Sequence, residues 1–386
     1  MSSKPLPVLP GAKLPILPGA TLGILGGGQL GRMFTLAART MGYKVMVLDP
    51  DAASPAGQMA DVHVRADYAD LAALRKLGAA CAAVTTEFEN VPAASLIELA
   101  KHCRVSPGAD AVAIVQDRSH EKAWLADNGF ATAPFALVDS EADLEAALAT
   151  TGAPALLKVS RFGYDGKGQV RVGTLEEARA AFREFGGQAC VLEGFVQLEL
   201  EVSVVLARDD AGQCALFPVA ENRHDNGILD VSIVPARVPD SLAQAAREMA
   251  RAVADKLGYV GVMAVEFFIA GGQLMINEIA PRPHNSGHYT LDACVTDQFE
   301  QQVRVLAGLP LGDTRLLSPV VMVNLLGDRW HDGGPRWAAL LSHPAIKLHL
   351  YGKEAARPGR KMGHFNVLDA DPAAALQLAE QMRHAL

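Results

Sequence analysis

The chain has 386 residues, half of them apolar, with a formal net charge of −8 and no basic run. That length exceeds what one core usually holds, so two or three domains are expected. The acidic balance argues against nucleic acid as the main partner but leaves room for local cationic patches that hold a small phosphorylated metabolite.

The first twenty residues hold five prolines and two lysines without a continuous apolar core, so residues 1–20 read as a loose extension and not as a signal peptide. Residues 21–50 then read as strand (TLGILG), glycine turn, helix (QLGRMFTLAARTMGY) and strand (KVMVLD), the opening βαβ unit of a parallel sheet. Further alternation through residues 82–86 and 104–106 predicts a Rossmann-like domain over 21–115. Within it Gly26, Gly28 and Gly31 satisfy G-x-G-x-x-G, and Asp49 closes the second strand where a ribose-binding acid belongs. Such a loop presents backbone N–H groups and a helix N-terminus to any phosphate. A dinucleotide, a phosphoribosyl compound and a purely structural turn all remain open, with Arg32 favouring a compact phosphate.

From 116 to 312 helices alternate with antiparallel strand candidates (ALLKVS, QVRVG, CVLEGFV, EVSVVLARD, CALFPVAE), an α+β layout. Lys158 ends an apolar strand and is followed by a glycine-rich stretch, Gly163 to Gln169, whose amides can fold over phosphates. It is no Walker A loop, because no GK[ST] follows a strand and opens a helix. Glu193-Gly194-Phe195-Val196 offers backbone hydrogen bonds to a base edge, and Glu201 offers an acceptor to ribose hydroxyls. Residues 262–290 form two β runs around Gly271-Gly272, a hairpin signal. A two-residue turn would set Glu266 opposite Asn277 and a three-residue turn opposite Glu278, so either register brings carboxylates to about 5–8 Å on neighbouring strands. That pattern suits Mg²⁺, which takes oxygen ligands and is usually completed by nucleotide phosphates. The following PRPHNSGH gathers Arg282, His284, Asn285 and His288 on a broken loop. The last segment, 313–386, carries short strands, a Pro/Gly/Arg turn and a closing helix. Cys81, Cys103, Cys190, Cys214 and Cys294 form no CxxC pair and read as reduced thiols of a cytoplasmic protein. No uncharged apolar run approaches the ~18 residues of a membrane span.

The order Arg118/Lys122, Lys158, GYDGKGQ, EGFV, Glu201, Glu266 and Asn277-Glu278 resembles that of ATP-grasp ligases. GGGQLGRM, RPHNSGH and RPGRKMGH together resemble one branch of them, the N5-carboxyaminoimidazole ribonucleotide synthases of purine biosynthesis. The resemblance runs from about Leu22 to the C-terminus. It implies a mixed α/β and α+β architecture, with an ATP-grasp domain between the Rossmann-like domain and a small β-rich C-terminal domain. It also implies a homodimer, with ATP and Mg²⁺ required. Arg118, Lys122, Lys158, the flap Gly163, Tyr164, Asp165, Gly166, Lys167, Gly168 and Gln169, then Glu193, Gly194, Phe195, Val196, Glu201 and His224 would hold ATP. Glu266 and Glu278, aided by Asn277, would hold Mg²⁺, with Asn277 and Glu278 also beside the nucleotide.

By the same resemblance Arg282, His284, Asn285 and Ser286 would line the end where bicarbonate and the amine of 5-aminoimidazole ribonucleotide react. Asp165 or His284 would take the amine proton. Tyr164 and Asp165 would close on the ribonucleotide. Lys353 and Arg360 would clasp its phosphate with Gly28, Gln29 and Arg32, and Glu87 would lie near it, with Glu89 harder to place. The implied reaction couples ATP cleavage to carboxylation of that amine. A Rossmann dehydrogenase would leave the flap and the hairpin unemployed. Another ATP-grasp ligase, such as a biotin carboxylase or a formate-dependent glycinamide ribonucleotide transformylase, shares the ATP half and differs only in the substrate motifs.

Overall fold

The computed structural model describes residues 14–163, 166–330 and 334–386. Tyr164 and Asp165, expected to close over the substrate, lie outside the described residues. The N-terminal region is a five-stranded parallel sheet in the order Val62–Val64, Lys44–Leu48, Thr21–Leu25, Ala83–Thr86, Arg104–Val105. Its central strands are buried over nearly their whole length because helices cover both faces. Strand order reverses between Thr21–Leu25 and Ala83–Thr86, and the crevice outside the carboxyl ends at such a switch point is where ligands of open α/β sheets lie. The glycine turn and Glu87 both emerge there.

An apolar core ties this domain to the next. The helix Gln298–Ala307, capped by Asp297, whose carboxylate accepts from the N–H of Phe299 at 2.7 Å, sends Phe299, Val303 and Leu306 among Leu22, Ile24, Phe34 and Val45, with Tyr351 from the C-terminal region closing the cluster. Each such side chain, fully buried, stabilises by about 1.5–3 kcal/mol, so the interdomain angle that sets the cleft is held by packing and not by linkers.

The middle region has two sheets. A small antiparallel one, in the order Phe135–Val138, Cys190–Gly194, Ala155–Val159, Gln169–Val172, is backed by the helices Leu144–Thr151 and Leu175–Glu184. The large one begins with Gln273–Ala280, Gly261–Ala270, Leu200–Arg208, Ala220–Asp225 and Ile228–Val234. The β-rich C-terminal region extends this large sheet: Val320–Leu326 pairs with Ile228–Val234, followed by Lys361–Leu368 and Ile346–Leu350. Strand alternation divides the large sheet into two chemistries. Val204, Leu206, Met263, Val265 and Ile279 face the helix Asp240–Lys256 and its core. Ser203, Glu266 and Glu278, in register on three neighbouring strands, take the opposite, polar face.

Candidate active site

The hairpin turn at Gly271-Gly272 has two residues, both with positive φ (57° and 70°), the requirement of a tight I′-type connection. By itself that turn would put Glu266 opposite Asn277. A bulge intervenes: pairing runs Ala270↔Gln273 to Phe267↔Ile276 and then jumps to Glu266↔Glu278. The extra residue is Asn277, so neither simple register alone describes the hairpin. The bulge is held by Lys122, whose ammonium donates to the Asn277 carbonyl at 2.9 Å. Glu266 and Glu278 thereby stand directly opposite each other on neighbouring strands, and the Asn277 side-chain oxygen is buried with no partner among the described residues.

Arg118, Glu121 and Lys122 share one face of the helix Arg118–Asp127 by i, i+3, i+4 spacing, and the Asp117 cap fixes where that helix starts. Arg118 reaches Glu278 at 3.5 Å. Lys158 donates to Glu193 at 2.9 Å, and Lys122 lies 3.6 Å from the same carboxylate oxygen. Burial opposes ionisation of Glu193, but Lys158, Lys122 and Arg118 pull its pKa down to about 2. Burial lowers the pKa of Lys158. Lys122, expected to hold ATP, is placed otherwise: it is fully buried, and its charge is engaged by Glu193 and the bulge carbonyl. Glu121, which the sequence reading passed over, accepts from the N–H of Ile279 at 2.5 Å, and burial raises its pKa to about 8. Three buried polar atoms here lack partners among the described residues: Arg118 Nε, Glu193 Oε1 and Asn277 Oδ1.

Next to this charged group lies an apolar slot of about 310 Å³ lined by Leu156, Gly194, Phe195, Val196, Leu198 and Phe268. The amides of Gly194 and Phe195 donate to Pro134 and Pro154 carbonyls at 2.8 and 3.1 Å, so the EGFV segment offers fewer free N–H groups than expected. On the sheet floor Glu201 and His224 are 2.8 Å apart, and although burial opposes it the carboxylate raises the His224 pKa. Of the flap, Gly163 and Gly168 pack on Val159, and Gly166 (φ 75°) meets Asn226 and Gly227 at the turn before Ile228–Val234. Gln169 opens the strand that pairs with Lys158.

The reacting-end residues divide. Arg282 donates to Glu89 of the N-terminal domain at 2.5 Å, which gives the Glu87–Asn90 segment a contact the sequence did not suggest. His284 Nε2 lies 2.9 Å from Glu266. Asn285 and Ser286 do not line the cleft as expected. Both are buried; Asn285 forms a reciprocal amide pair with Asn324 at 2.7 and 3.0 Å, and the Ser286 hydroxyl sits 2.8 Å from His284 Nδ1. His288 is also interior, accepting from Gln298 at 3.0 Å.

The glycine loop differs most from its motif. Glu87 accepts from the N–H of Gly28 at 2.5 Å and of Gly31 at 2.6 Å, while Asp49 accepts from Gly27 at 2.6 Å, Asp51 at 2.7 Å and Tyr68 at 2.6 Å. Internal carboxylates thus fill the amide cradle, and three internal bonds to buried Asp49 leave it too few acceptor positions for a bidentate hold on a ribose diol. Burial raises the Glu87 pKa to about 7 despite those two amides. What the loop does present is side chains: Gln29 accepts from Lys353 at 2.7 Å, Arg32 lies against Gly352, and Arg360, half-buried in the same turn as Lys353, donates to the Ala355 carbonyl at 2.8 Å.

Comparison with known proteins completes the picture. Residues 19–116 match the ribonucleotide synthetase preATP-grasp domain, 123–299 the ATP-grasp domain and 320–378 the phosphoribosylaminoimidazole carboxylase C-terminal domain. An N5-carboxyaminoimidazole ribonucleotide synthase of Brucella melitensis is 48% identical over 337 residues, covering 86% of this chain and 92% of the relative. The chain belongs to the N5-carboxyaminoimidazole ribonucleotide synthase family. A Bacillus subtilis synthase is 46% identical, with 88% of each chain covered. Among solved structures, an ADP complex of an N5-carboxyaminoimidazole ribonucleotide synthetase matches with TM-score 0.90 at 46% identity over 96% of this chain and 97% of that one. An Aspergillus clavatus synthase in complex with ADP and 5-aminoimidazole ribonucleotide matches with TM-score 0.86 at 30% identity over 95% and 98%.

Membership in the synthase family disposes of the dehydrogenase reading, as do the filled cradle and the committed Asp49. The match over the C-terminal domain, which carries the RPGRKMGH motif, separates the chain from the other ATP-grasp ligases. Residues that sequence reasoning missed are Glu121, Ser203 and Asn222. A glutamate between Arg118 and Lys122, a serine inside the apolar strand Leu200–Arg208 and an asparagine among the polar residues of Ala220–Asp225 give no signal until folding brings them together. Among the described residues no helix is long and apolar enough to cross a membrane.

Proposed function

We propose that the chain is an ATP-dependent carbon–nitrogen ligase that carboxylates 5-aminoimidazole ribonucleotide with bicarbonate, giving N5-carboxyaminoimidazole ribonucleotide, ADP and phosphate in purine biosynthesis. The observation that carries this reading is the convergence of three buried polar atoms without partners among the described residues, on Arg118, Glu193 and Asn277, beside Lys158 and the Glu266–Glu278 pair. Buried polar groups are normally bonded, so such a concentration suits a charged ligand. The residues fit Mg²⁺: Glu266 and Glu278 supply opposed carboxylates and Asn277 a free buried oxygen. When bound, that ion neutralises charge on the phosphate oxygens.

The remaining chemistry belongs to the chain. The slot at Phe195, Val196 and Phe268 accepts a planar base, with Glu201 and His224 placed for the ribose. Arg118 and Lys158, preorganised by Glu278 and Glu193, stabilise charge on the transferring phosphoryl group, where catalysis is mainly positioning and electrostatics. A bicarbonate oxygen attacks the γ-phosphorus and ADP leaves. The resulting carboxyphosphate loses phosphate, and the exocyclic amine bonds to the carboxyl carbon and gives up a proton. Arg282, oriented by Glu89, is the cation for the bicarbonate end. His284 as arranged is a poor proton acceptor, since Nδ1 accepts from Ser286 and Nε2 faces Glu266. Lys353, Arg32 and Arg360, in place of the loop amides, hold the substrate phosphate. A homodimer is the family expectation, and five free thiols support a cytoplasmic location.

A coupled ADP-release assay tests the reading. ADP formation is expected to require both 5-aminoimidazole ribonucleotide and bicarbonate. Release driven instead by biotin, or by formate with glycinamide ribonucleotide, would overturn it.

A further inference from the structure

Beneath the PRPHNSGH loop the polar face of the large sheet carries a chain of hydrogen bonds that the ligation mechanism above does not use. Ser232 Oγ donates to Asn222 Oδ1 at 2.8 Å, and Asn222 Nδ2 donates to Ser203 Oγ at 2.8 Å. Ser203 Oγ donates to Ser286 Oγ at 2.7 Å, and Ser286 Oγ lies 2.8 Å from His284 Nδ1. The backbone N–H of Ser286 also points at Nδ1, at 3.3 Å. His284 Nε2 then stands 2.9 Å from Glu266 Oε1. Ser232, Asn222, Ser203 and Ser286 are all buried, so water does not compete for these bonds.

The polarity of this chain is fixed by simple accounting. A hydroxyl has one proton to give, and Ser203, already accepting from Asn222, gives its proton to Ser286. Ser286 accepts from Ser203 and keeps its own proton to give, with Nδ1 within reach of it at 2.8 Å. A backbone N–H can only donate, so Nδ1 faces two donors and is the bare nitrogen; the hydroxyl at 2.8 Å is the closer and stronger of the two, the N–H at 3.3 Å the weaker. The ring proton therefore sits on Nε2, aimed at Glu266. Strand pairing explains why these residues meet: Ser203 is the cross-strand partner of Glu266, and Asn222 of Ser232.

We propose that Ser203 is a positioning residue for the ligation: acting through Ser286, it locks His284 in the Nε2–H tautomer, which in turn holds the Glu266 carboxylate in the orientation that receives Mg²⁺. This rests on the reading of Glu266 and Glu278 as the metal pair. Partners that orient the groups around a metal site typically matter by about 10- to 100-fold in metal affinity or activity. None of the relay residues Ser203, Asn222 and Ser232 touches the cleft, so substrate affinity is not expected to follow.

The test has two arms. In the first, protein labelled with ¹⁵N-histidine is examined without nucleotide or metal at about pH 8.5, well above the ordinary histidine pKa of about 6.5, with His284→Gln identifying the His284 signals. Wild type is expected to show separated nitrogen shifts for one tautomer, with the proton on Nε2. Ser203→Ala is expected to move the two shifts together as tautomers mix, and Ser203→Thr, which keeps the hydroxyl, to restore the separation. In the second arm the Mg²⁺ concentration for half-maximal activity is expected to rise about 10- to 100-fold in Ser203→Ala, with the KM for 5-aminoimidazole ribonucleotide unchanged. A wild-type spectrum with the proton on Nδ1, or Ser203→Ala shifts identical to wild type, would overturn the proposal. So would an unchanged Mg²⁺ requirement. Should Ser203→Ala fail to fold, Ser286→Ala removes the hydroxyl that donates to Nδ1 itself and is read in the same way. The spectroscopic arm stands even if the enzyme has another substrate, so failure of this proposal and failure of the assigned reaction are told apart.

Discussion

Two regions of this molecule carry ligand-like motifs, and folding treats them in opposite ways. The glycine loop Gly26–Gly31 offers the amides of a phosphate cradle, but Glu87 and Asp49 fill it from within. The Gly261–Ala270/Gln273–Ala280 hairpin, with the helix and strand beside it, leaves Arg118, Glu193 and Asn277 atoms buried and unmatched. A motif states which groups exist; only tertiary structure states which remain to be used. Unmatched atoms also cluster at His288, His364 and Asn366, and occur singly at Ser54, His224 and Arg383, but in the histidine cluster the rings are neutral and, among the described residues, no carboxylate pair or cation cluster accompanies them. A concentration of charge is what distinguishes the cleft.

The most severe way to break the comparison is Glu278→Gln. If the hairpin is where the triphosphate is neutralised, kcat is expected to fall by about 10²–10³-fold, the scale of losing one preorganised electrostatic group, with thermal unfolding nearly unchanged because Glu278 is only partly buried. An active variant at ordinary Mg²⁺ would show that the unmatched atoms mark nothing.

Next in size is Arg360→Ala. With the loop amides engaged by Glu87, the proposed phosphate site is one of side-chain cations. The KM for 5-aminoimidazole ribonucleotide is expected to rise about ten- to hundredfold, the worth of one charge-assisted hydrogen bond, with little change for ATP. Arg360→Lys should recover only part, since the bidentate fork is lost. Equal effects on both substrates would make the basic turn a surface feature.

These expectations also measure how far the sequence could be read. The parallel sheet, the hairpin and the order of motifs follow from periodicity, glycine turns and residue type, which are local. The bulge at Asn277 was not legible, because it is imposed by Lys122 from a helix 155 positions away. Nor was the burial of Lys122, Asn285 and Ser286, since a polar residue in a site motif reads the same whether it faces ligand or supports its neighbour. The filling of the glycine cradle by Glu87 required strand order, which places the end of Ala83–Thr86 beside Thr21–Leu25.

A smaller effect probes the neutral histidine cluster. Burial first, and then His284, Lys361, His349 and Arg282, lower the His288 pKa well below its ordinary value; burial, His288 and His349 do the same to His364. The unfolded chain takes up these protons below about pH 6.5 while the folded chain does not, so stability is expected to fall as pH drops through that value, by about 1.4 kcal/mol per pH unit per histidine. Urea midpoints at pH 7 and pH 5 for wild type and His364→Gln read this directly. The variant should lose part of the slope, and an identical slope would assign acid sensitivity elsewhere.

The measurement that bears most directly on the contrast between the two regions is anomalous diffraction from Mn²⁺ in crystals grown with a non-hydrolysable ATP analogue. The expected result is a Mn²⁺ peak between the carboxylates of Glu266 and Glu278, with the triphosphate over Lys158 and Arg118 and the glycine loop still closed on Glu87. Nucleotide phosphates seated on the amides of Gly28 and Gly31, with Glu87 displaced and no metal at the hairpin, would contradict the account.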